Sequence, residues 1–297
     1  NIQENVPLAP YTTFKIGGSA RYFVRVETVE ELQEALAKAK EMDWPMFILA
    51  GGSNLIISSN GFNGLVIYIQ IESDQINGTK LTAGAATLMS KLVDESVAAG
   101  LAGLEWAGGL PGTFGGAIRG NAGAFGGEMK DSVESVTIIN HHTGEIHELD
   151  NDACQFEYRG SGIKNRPHQV IISATLVLAP GNAEELRQIA DSRIQYRQEK
   201  HPLEYPNAGS IFKNTPVENV PAAALEQWRD NIKLDPFPVV PTAKIIADAD
   251  LAGLRVGQIQ LSDKHTNYMV NLGNGTGEDV VELIAQVQAR VREKFGV

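Results

Sequence analysis

Between positions 108 and 120 the chain carries six glycines, in Gly108-Gly109-Leu110-Pro111-Gly112-Thr113-Phe114-Gly115-Gly116-Ala117-Ile118-Arg119-Gly120. No other segment constrains the fold so tightly. Glycine at this density argues against a packed helix or a regular strand. Pro111 stiffens the run, and Leu110, Phe114 and Ile118 supply anchors, so a mobile loop is disfavoured too. What remains is a fixed loop whose bare backbone approaches a ligand. A second turn, Ala50-Gly51-Gly52-Ser53-Asn54-Leu55, directly follows an apolar run that reads as a strand. It is neither a Walker A loop nor a dinucleotide fingerprint, because no helical pattern follows it. Taken alone it is as readily a plain tight turn. Two such loops, one in each of the first two blocks of the chain, are expected to face each other across a cleft and hold a long diphosphate cofactor.

The chain reads as three blocks, 1–72, 73–180 and 181–297. In the first, Arg21–Val26 is a strand, and Thr28 with Glu31 forms a capping box. Leu32, Ala35, Leu36 and Ala39 then recur at helical spacing. Phe47–Ala50 and Leu65–Ile69 follow as short strands. The second block has a helix over Leu88–Ala99 stopped by Gly100. A hairpin of Val133–Asn140 with Glu145–Leu149 turns at His141 and His142, and a long strand runs over Val170–Leu178. The third block opens with a helix capped by Asn182 and Glu185. It closes with a helix striped by Val280, Ile284, Val287 and Val291. Residues 215–241 hold five prolines and read as a loop with one short helix near Ala222–Trp228.

Composition narrows the function classes. A length of 297 residues suits two or three domains rather than one core. A formal charge of −11 argues against a nucleic-acid partner, yet leaves room for an anionic ligand held by a few cations and backbone N–H groups. No apolar run approaches the ~20 residues that span a bilayer. Asn1–Pro10 lacks a signal peptide's pattern, so a cytoplasmic location is expected. The first residue is Asn rather than Met, which fits a trimmed N-terminus. The single cysteine, Cys154, rules out an internal disulfide and reads as a packed thiol. The histidines show no metal-ligand spacing and no metal is expected. His141 and His142, at a turn, read as solvent-exposed.

Six motifs in order along the chain then point one way. Tyr11-Thr12-Thr13-Phe14-Lys15-Ile16-Gly17-Gly18, Gly51–Leu55 and Gly109-Leu110-Pro111-Gly112-Thr113 resemble the UDP-N-acetylenolpyruvoylglucosamine reductase family. So do Tyr158-Arg159-Gly160-Ser161, Ala208-Gly209-Ser210-Ile211-Phe212-Lys213-Asn214 and His265-Thr266-Asn267-Tyr268. The short distance from Arg159 to Ser210 resembles the compact type, which lacks a tyrosine-bearing insertion. The resemblance implies an α+β chain: an FAD-binding α/β unit of the PCMH type in two subdomains, 1–72 and 73–180, and a C-terminal α/β substrate-binding domain, 181–297. It implies FAD as cofactor, NADPH as hydride donor and a UDP-sugar as substrate, in a monomer serving peptidoglycan synthesis.

The same resemblance assigns roles. NADPH reduces the flavin and leaves, and the enolpyruvyl sugar enters and accepts hydride from flavin N5. Arg159 stabilises the negative charge that develops beside the carboxylate, where a planar, always-protonated guanidinium outperforms Lys. On local sequence alone Arg159 would read as a surface arginine beside Tyr158. Ser210 is the proton donor, although out of context it would be an ordinary turn residue. Gly51, Gly52, Ser53, Asn54, Leu55, Gly109, Pro111, Gly112, Thr113, Gly115, Gly116, Asn121, Ala122, Gly123 and Ile172 are expected to bind the cofactor. Lys213, Asn214 and Asn267 are expected at the substrate, with His265 a weaker candidate.

Three departures stand out. The family's catalytic glutamate follows its last helix, and nothing up to Val297 matches it. Arg119-Gly120 replaces a more usual apolar pair, and the proline-rich stretch 215–241 is long. Two competing readings are a flavin oxidase and a nucleotide-binding regulator that kept the fold. An oxidase of the vanillyl-alcohol group often tethers its flavin through His or Cys near the glycine loops, and neither loop has one.

Overall fold

The structure, a computed structural model, describes residues 1–234 and 237–297. The chain forms two compact units. One comprises residues 1–6, 20–52 and 62–196, and the other residues 7–19, 53–61 and 197–297.

The first unit is α+β, with two larger sheets. One has the order Gln3–Pro7, Ser19–Val26, Phe62–Ile69, Met46–Leu49. Its central strand Phe62–Ile69 runs parallel to both Ser19–Val26 and Met46–Leu49, with Val24 opposite Ile67 and Ile48 on its other side. The parallel pairing requires a crossover, supplied by the helix Val29–Glu41. Thr28 Oγ1 caps that helix by accepting from Glu31 N at 3.2 Å. Leu32, Ala35, Leu36 and Ala39 are buried, as their spacing predicts, in one core with Leu65 and Ile67.

The other sheet is antiparallel, in the order Ile146–Asp150, Val133–Asn140, Gln169–Val177, Lys80–Gly84, Asp74–Asn77. Leu81, Val136, Ile138 and Leu176 from its strands share a core with Met89, Leu92 and Val97 of the helix Met89–Ala98. Cys154 is fully buried there, and burial pushes its thiol up to about 11. The hairpin turn falls at His141–Gly144, but only His142 is exposed. His141 is half-buried, and its backbone N–H donates to His168 O at 2.9 Å.

The glycine run departs from expectation in one respect, because Phe114–Arg119 is a short helix. The reason is steric. A Cβ on Gly115 would fall 2.8 Å from Ala85 Cβ, so only glycine lets this turn of helix press its backbone against the neighbouring chain. Gly115 N donates to Ala85 O at 2.9 Å, and Phe114 N donates to Thr87 O at 2.8 Å.

The second unit is built on the antiparallel sheet Asn207–Ser210, Tyr268–Asn271, Ile259–Leu261, Arg255–Val256. The helix Gly277–Phe295 starts with a capping box between Thr276 and Asp279 and buries Val280, Leu283, Val287 and Val291. Phe14 and Ile16, near the start of the chain, belong to this same core, and Asn271 Nδ2 donates to Phe14 O at 3.1 Å. Glu278 ties in the 53–61 segment. It accepts from Ser59 Oγ at 2.5 Å, from Ser58 Oγ at 2.9 Å and from Ser59 N at 3.2 Å, and these donors, the Ser59 hydroxyl foremost, hold its carboxyl at about 2.

Most of the proline-rich stretch is ordered around a short pairing of Thr215–Pro216 with Val239–Val240 and the helix Ala222–Gln227. Residues 235–236 lie outside the described residues. Trp228 is fully buried against Phe295 and donates its Nε1–H to Asp248 Oδ2 at 2.7 Å. Trp228→Ala empties that space and takes one donor from Asp248, which keeps Lys244, so a loss of about 3–5 kcal/mol is expected. Urea denaturation should show it as a lower midpoint for the second unit.

Candidate active site

The two glycine loops meet inside the first unit. A Cβ on Gly51 would lie 3.1 Å from Gly112 Cα, 3.2 Å from Thr113 Cγ2 and 3.3 Å from Thr113 N. Gly52, Gly109 and Gly112 all take positive φ, at 59°, 69° and 101°, which L side chains adopt only with strain. Gly112 O accepts from Met89 N at 3.1 Å, fixing the loop to the helix Met89–Ala98. Thr113 Oγ1 is buried beside these glycines with no protein hydrogen-bond partner, and Gly116 sits next to it. A buried hydroxyl left unpaired costs about 1–3 kcal/mol unless a ligand supplies the partner. A cradle that a Cβ would fill, with one orphaned hydroxyl, fits a diphosphate. The turn at 50–55 continues from the first unit into the second between Gly52 and Ser53. Of its remaining members, Asn54 is exposed, and Ser53 and Leu55 are half-buried.

Ile172 sits at an irregularity of the second sheet. Ser173 pairs with Thr137 and Ile171 with Ile138, which leaves Ile172 as the extra residue of a bulge. Its carbonyl accepts from Ala85 N at 2.9 Å, and Ala85 O in turn accepts from Gly115 N. The bulge and the glycine helix are thus joined by consecutive hydrogen bonds, a placement common where a sheet must re-aim the chain.

Arg159 lies in a tight turn closed by two hydrogen bonds of 3.1 Å between Glu157 and Gly160. Its φ is +57°, a left-handed conformation that few non-glycine residues take. The guanidinium stacks over the Tyr158 ring at 5.0 Å, and Lys164 Nζ donates to the Arg159 carbonyl at 3.1 Å. Asn121 and Gly123 adjoin this turn. Asn121 is fully buried, and its Nδ2 donates to Glu128 Oε2 at 2.9 Å and Glu157 O at 3.0 Å, while Oδ1 accepts from Lys130 N at 3.0 Å. The side-chain amide is therefore committed to protein partners. Ala122 O accepts from Met129 N at 2.9 Å.

In the second unit, Ser210 is exposed at the end of its strand, opposite Tyr268. The register shifts between Asn207 and Ser210, where Gly209 takes φ +78°. Asn267 is buried, and its side chain brackets Phe212, accepting from Phe212 N at 3.0 Å and donating to Phe212 O at 2.9 Å. It thereby fixes the segment that presents Lys213, which is exposed, and Asn214. Asn214 Oδ1 accepts from Thr242 N at 3.3 Å.

The sequence reading passed over a cluster behind Tyr268. The Tyr268 hydroxyl lies 3.1 Å from His201 Nδ1, and the His265 ring packs edge-on against both. Burial, then the charges of Arg197, His265 and Lys264, lowers His201 to about 4. The ring is thus neutral near pH 7. His265 Nδ1 accepts from Asn267 N at 3.3 Å, and burial lowers that histidine as well. The only clue to this cluster in the sequence was the family motif ending at Tyr268, since His201 lies 67 positions away.

Two family descriptions match: "FAD binding domain" over residues 20–150, and "UDP-N-acetylenolpyruvoylglucosamine reductase, C-terminal domain" over residues 201–297. The enzyme of that name from Alkaliphilus metalliredigens is 36% identical over 98% of this chain and 88% of its own length. This chain belongs to the UDP-N-acetylenolpyruvoylglucosamine reductase family. The Staphylococcus haemolyticus member is also 36% identical, over 100% of this chain and 89% of its own. The crystal structure of the Thermus caldophilus reductase matches with a TM-score of 0.79 at 32% identity, covering 97% of this chain and 96% of that one. As a member of this reductase family, the chain is an oxidoreductase with an FAD-binding domain and a family-specific C-terminal domain.

Two outcomes are expected. Gly51→Val wedges the cradle open and should weaken flavin retention by about tenfold or more, equivalent to ~1.4 kcal/mol. The ratio of flavin to protein absorbance after gel filtration reads this, with an unchanged circular dichroism spectrum as control. For His201, the unfolded chain titrates near the ordinary 6.5 and the folded one near 4. Below 6.5 the unfolded state takes a proton that the folded state refuses. Stability is therefore full above 6.5 and falls as pH drops towards 4, by at most about 1.4 kcal/mol per pH unit for one proton. Urea midpoints between pH 7 and 4.5 should decline less steeply in His201→Asn.

Proposed function

We propose that this chain reduces UDP-N-acetylglucosamine enolpyruvate to UDP-N-acetylmuramate at the expense of NADPH, in the supply of peptidoglycan precursors. The observation that carries the reading is the presentation of Arg159 and Ser210. Arg159 itself is held at a costly φ of +57°, and Ser210 directly follows Gly209, whose φ of +78° suits glycine alone. Strain of this kind persists where the surroundings over-determine it, and functional sites are where it gathers.

The residues fit FAD. Gly51, Gly52, Gly109, Gly112 and Gly116, with the orphaned Thr113 hydroxyl, would hold its diphosphate through bare N–H groups, Gly115 would keep the loop close through its bond to Ala85, and Ser53–Leu55, Pro111, Ala122 and Ile172 would complete the site. FAD, when bound, supplies hydride transfer.

This chain's own groups do the rest. Adding hydride to the terminal alkene carbon of the enolpyruvyl group leaves negative charge spread towards its carboxylate. Arg159 stabilises that charge with a planar fork of donors. A proton must then reach the carbon beside the carboxylate. The Ser210 hydroxyl delivers it, which is feasible because an enolate is a strong base. Lys213 and Asn214 engage the diphosphate or carboxylate of the UDP-sugar, and Asn267 acts by holding their segment. Such an enzyme works as a cytoplasmic monomer on small soluble ligands, in keeping with a charge of −11 and with no helix among the described residues long and apolar enough to cross a membrane.

Rapid mixing separates the two half-reactions. Ser210→Ala should be reduced by NADPH, seen as flavin bleaching, at close to the parent rate. Its reoxidation by the enolpyruvyl sugar should slow by about 10²–10⁴-fold, the usual scale for losing a general acid. Equal slowing of both halves would remove Ser210 as proton donor, and a chain that never bleaches would remove the reductase reading itself.

A further inference from the structure

The turn that carries Arg159 is clipped at both shoulders to one short segment, Arg119–Asn121. On the near side, Asn121 Nδ2 donates to Glu157 O at 3.0 Å. On the far side, Ser161 Oγ donates to Arg119 O at 2.8 Å. Both Asn121 and Ser161 are fully buried. Between the clips the backbone closes on itself through the paired Glu157–Gly160 bonds, and Arg159 is held at φ +57°.

The guanidinium has its own support. A Cβ on Gly123 would lie 2.9 Å from Arg159 Nη1, 2.9 Å from Gly127 O and 2.8 Å from Glu128 Cγ. The Arg159 fork therefore rests on bare backbone at Gly123, in the two-strand pairing of Gly123–Ala124 with Gly127–Glu128. That pairing is itself braced. The Trp106 ring lies so close to Gly127 that a Cβ there would fall 2.4 Å from it, and Trp106 Nε1 donates to Gly103 O at 3.0 Å. Asn121 adds the remaining tie, through Glu128 Oε2 and Lys130 N.

We propose that Asn121 is a positioning residue for Arg159, fixing through one amide both the turn that carries the arginine and the backbone ledge on which its guanidinium rests. The proposal builds on the charge-stabilising role given to Arg159 above. It gives a different use to a residue that the family resemblance places at the cofactor. The side chain reaches Glu157, Glu128 and Lys130 at once, and both N–H groups of its amide are spent on these protein partners. Without the amide the Glu157 carbonyl keeps only the Gly160 N–H from within the turn, and a turn whose centre is strained has one shoulder no longer tied to the 119–121 segment. A displacement of about 1 Å in a group that must meet developing charge can cost on the order of 10²-fold in rate.

Asn121→Gly deletes the amide while tolerating the residue's own φ of +41°, so the backbone is not strained by the change. In flavin-loaded protein, reoxidation by the enolpyruvyl sugar should slow by about 10–100-fold, more than bleaching by NADPH does. Hydrogen exchange over 157–160 should quicken while the strand Gln169–Val177 stays protected. The decisive measurement is a double-mutant cycle with Arg159→Ala. If Asn121 acts through Arg159, adding Asn121→Gly to Arg159→Ala costs no more than about twofold further. Full additivity overturns the proposal and leaves the role of Arg159 intact. Should Arg159→Ala alone leave reoxidation unchanged, it is the proposed function of Arg159 that fails, and this inference with it. If Asn121→Gly does not fold, Ser161→Ala cuts the other clip. The same selective loss in it supports the proposal, and equal slowing of both halves overturns it.

Discussion

Peptide backbone lies directly on peptide backbone at several places in the first unit, and the chemistry proposed for that unit depends on this closeness. A Cβ at Gly108 would fall 2.4 Å from Ala190 O, one at Gly115 2.8 Å from Ala85 Cβ, and one at Gly51 3.1 Å from Gly112 Cα. Each approach removes a side chain from between two chains. It lets N–H groups and a buried hydroxyl face the same small space. Glycine costs conformational entropy on folding, roughly 0.5–1 kcal/mol relative to Ala in a regular element. The short helix Phe114–Arg119 accepts that cost twice, at Gly115 and Gly116, and is held by its hydrogen bonds to Thr87 and Ala85 rather than by its own propensity.

Strain concentrates where those contacts leave room for it. Asn121, Phe125, Gln155 and Arg159 all have positive φ, and all lie within 39 residues of one another in the first unit. Such conformations cost about 1–3 kcal/mol each for non-glycine residues. Asn121 offsets part of its own cost with a buried side chain that makes three hydrogen bonds. Rigidity around Arg159 thus comes from polar bonds and bare backbone rather than from an apolar core.

Much of the architecture was legible in the sequence because it rests on periodicity. Leu32, Ala35, Leu36 and Ala39, and likewise Val280, Val287 and Val291, are buried as their spacing requires. The Thr28 cap was legible for the same local reason. The helix inside the glycine run was not, because its stability comes from Thr87 and Ala85, about 25 to 30 residues upstream. Nor was the half-burial of His141, which depends on the distant His168. At the site, residue identities were legible through motifs, but their division of labour was not. The commitments of Asn121 and Asn267 to protein partners, and the pairing of His201 with Tyr268, are contacts between segments that no spacing rule encodes.

The order in which the chain is made acquires a meaning from the way the two units share it. Phe14 and Ile16 belong to a core whose other buried members begin at Ala208. A ribosome therefore releases residues 7–19 long before anything exists for them to pack against. The first unit has all its residues once Tyr196 has emerged, and it can settle around two open tethers, 7–19 and 53–61. During that interval Phe14 and Ile16 are an exposed apolar stretch, the kind of surface that chaperones shield. The second unit is then completed by the capture of early segments of the chain by a late one, when Asn271 reaches the Phe14 carbonyl and Glu278 reaches Ser58 and Ser59.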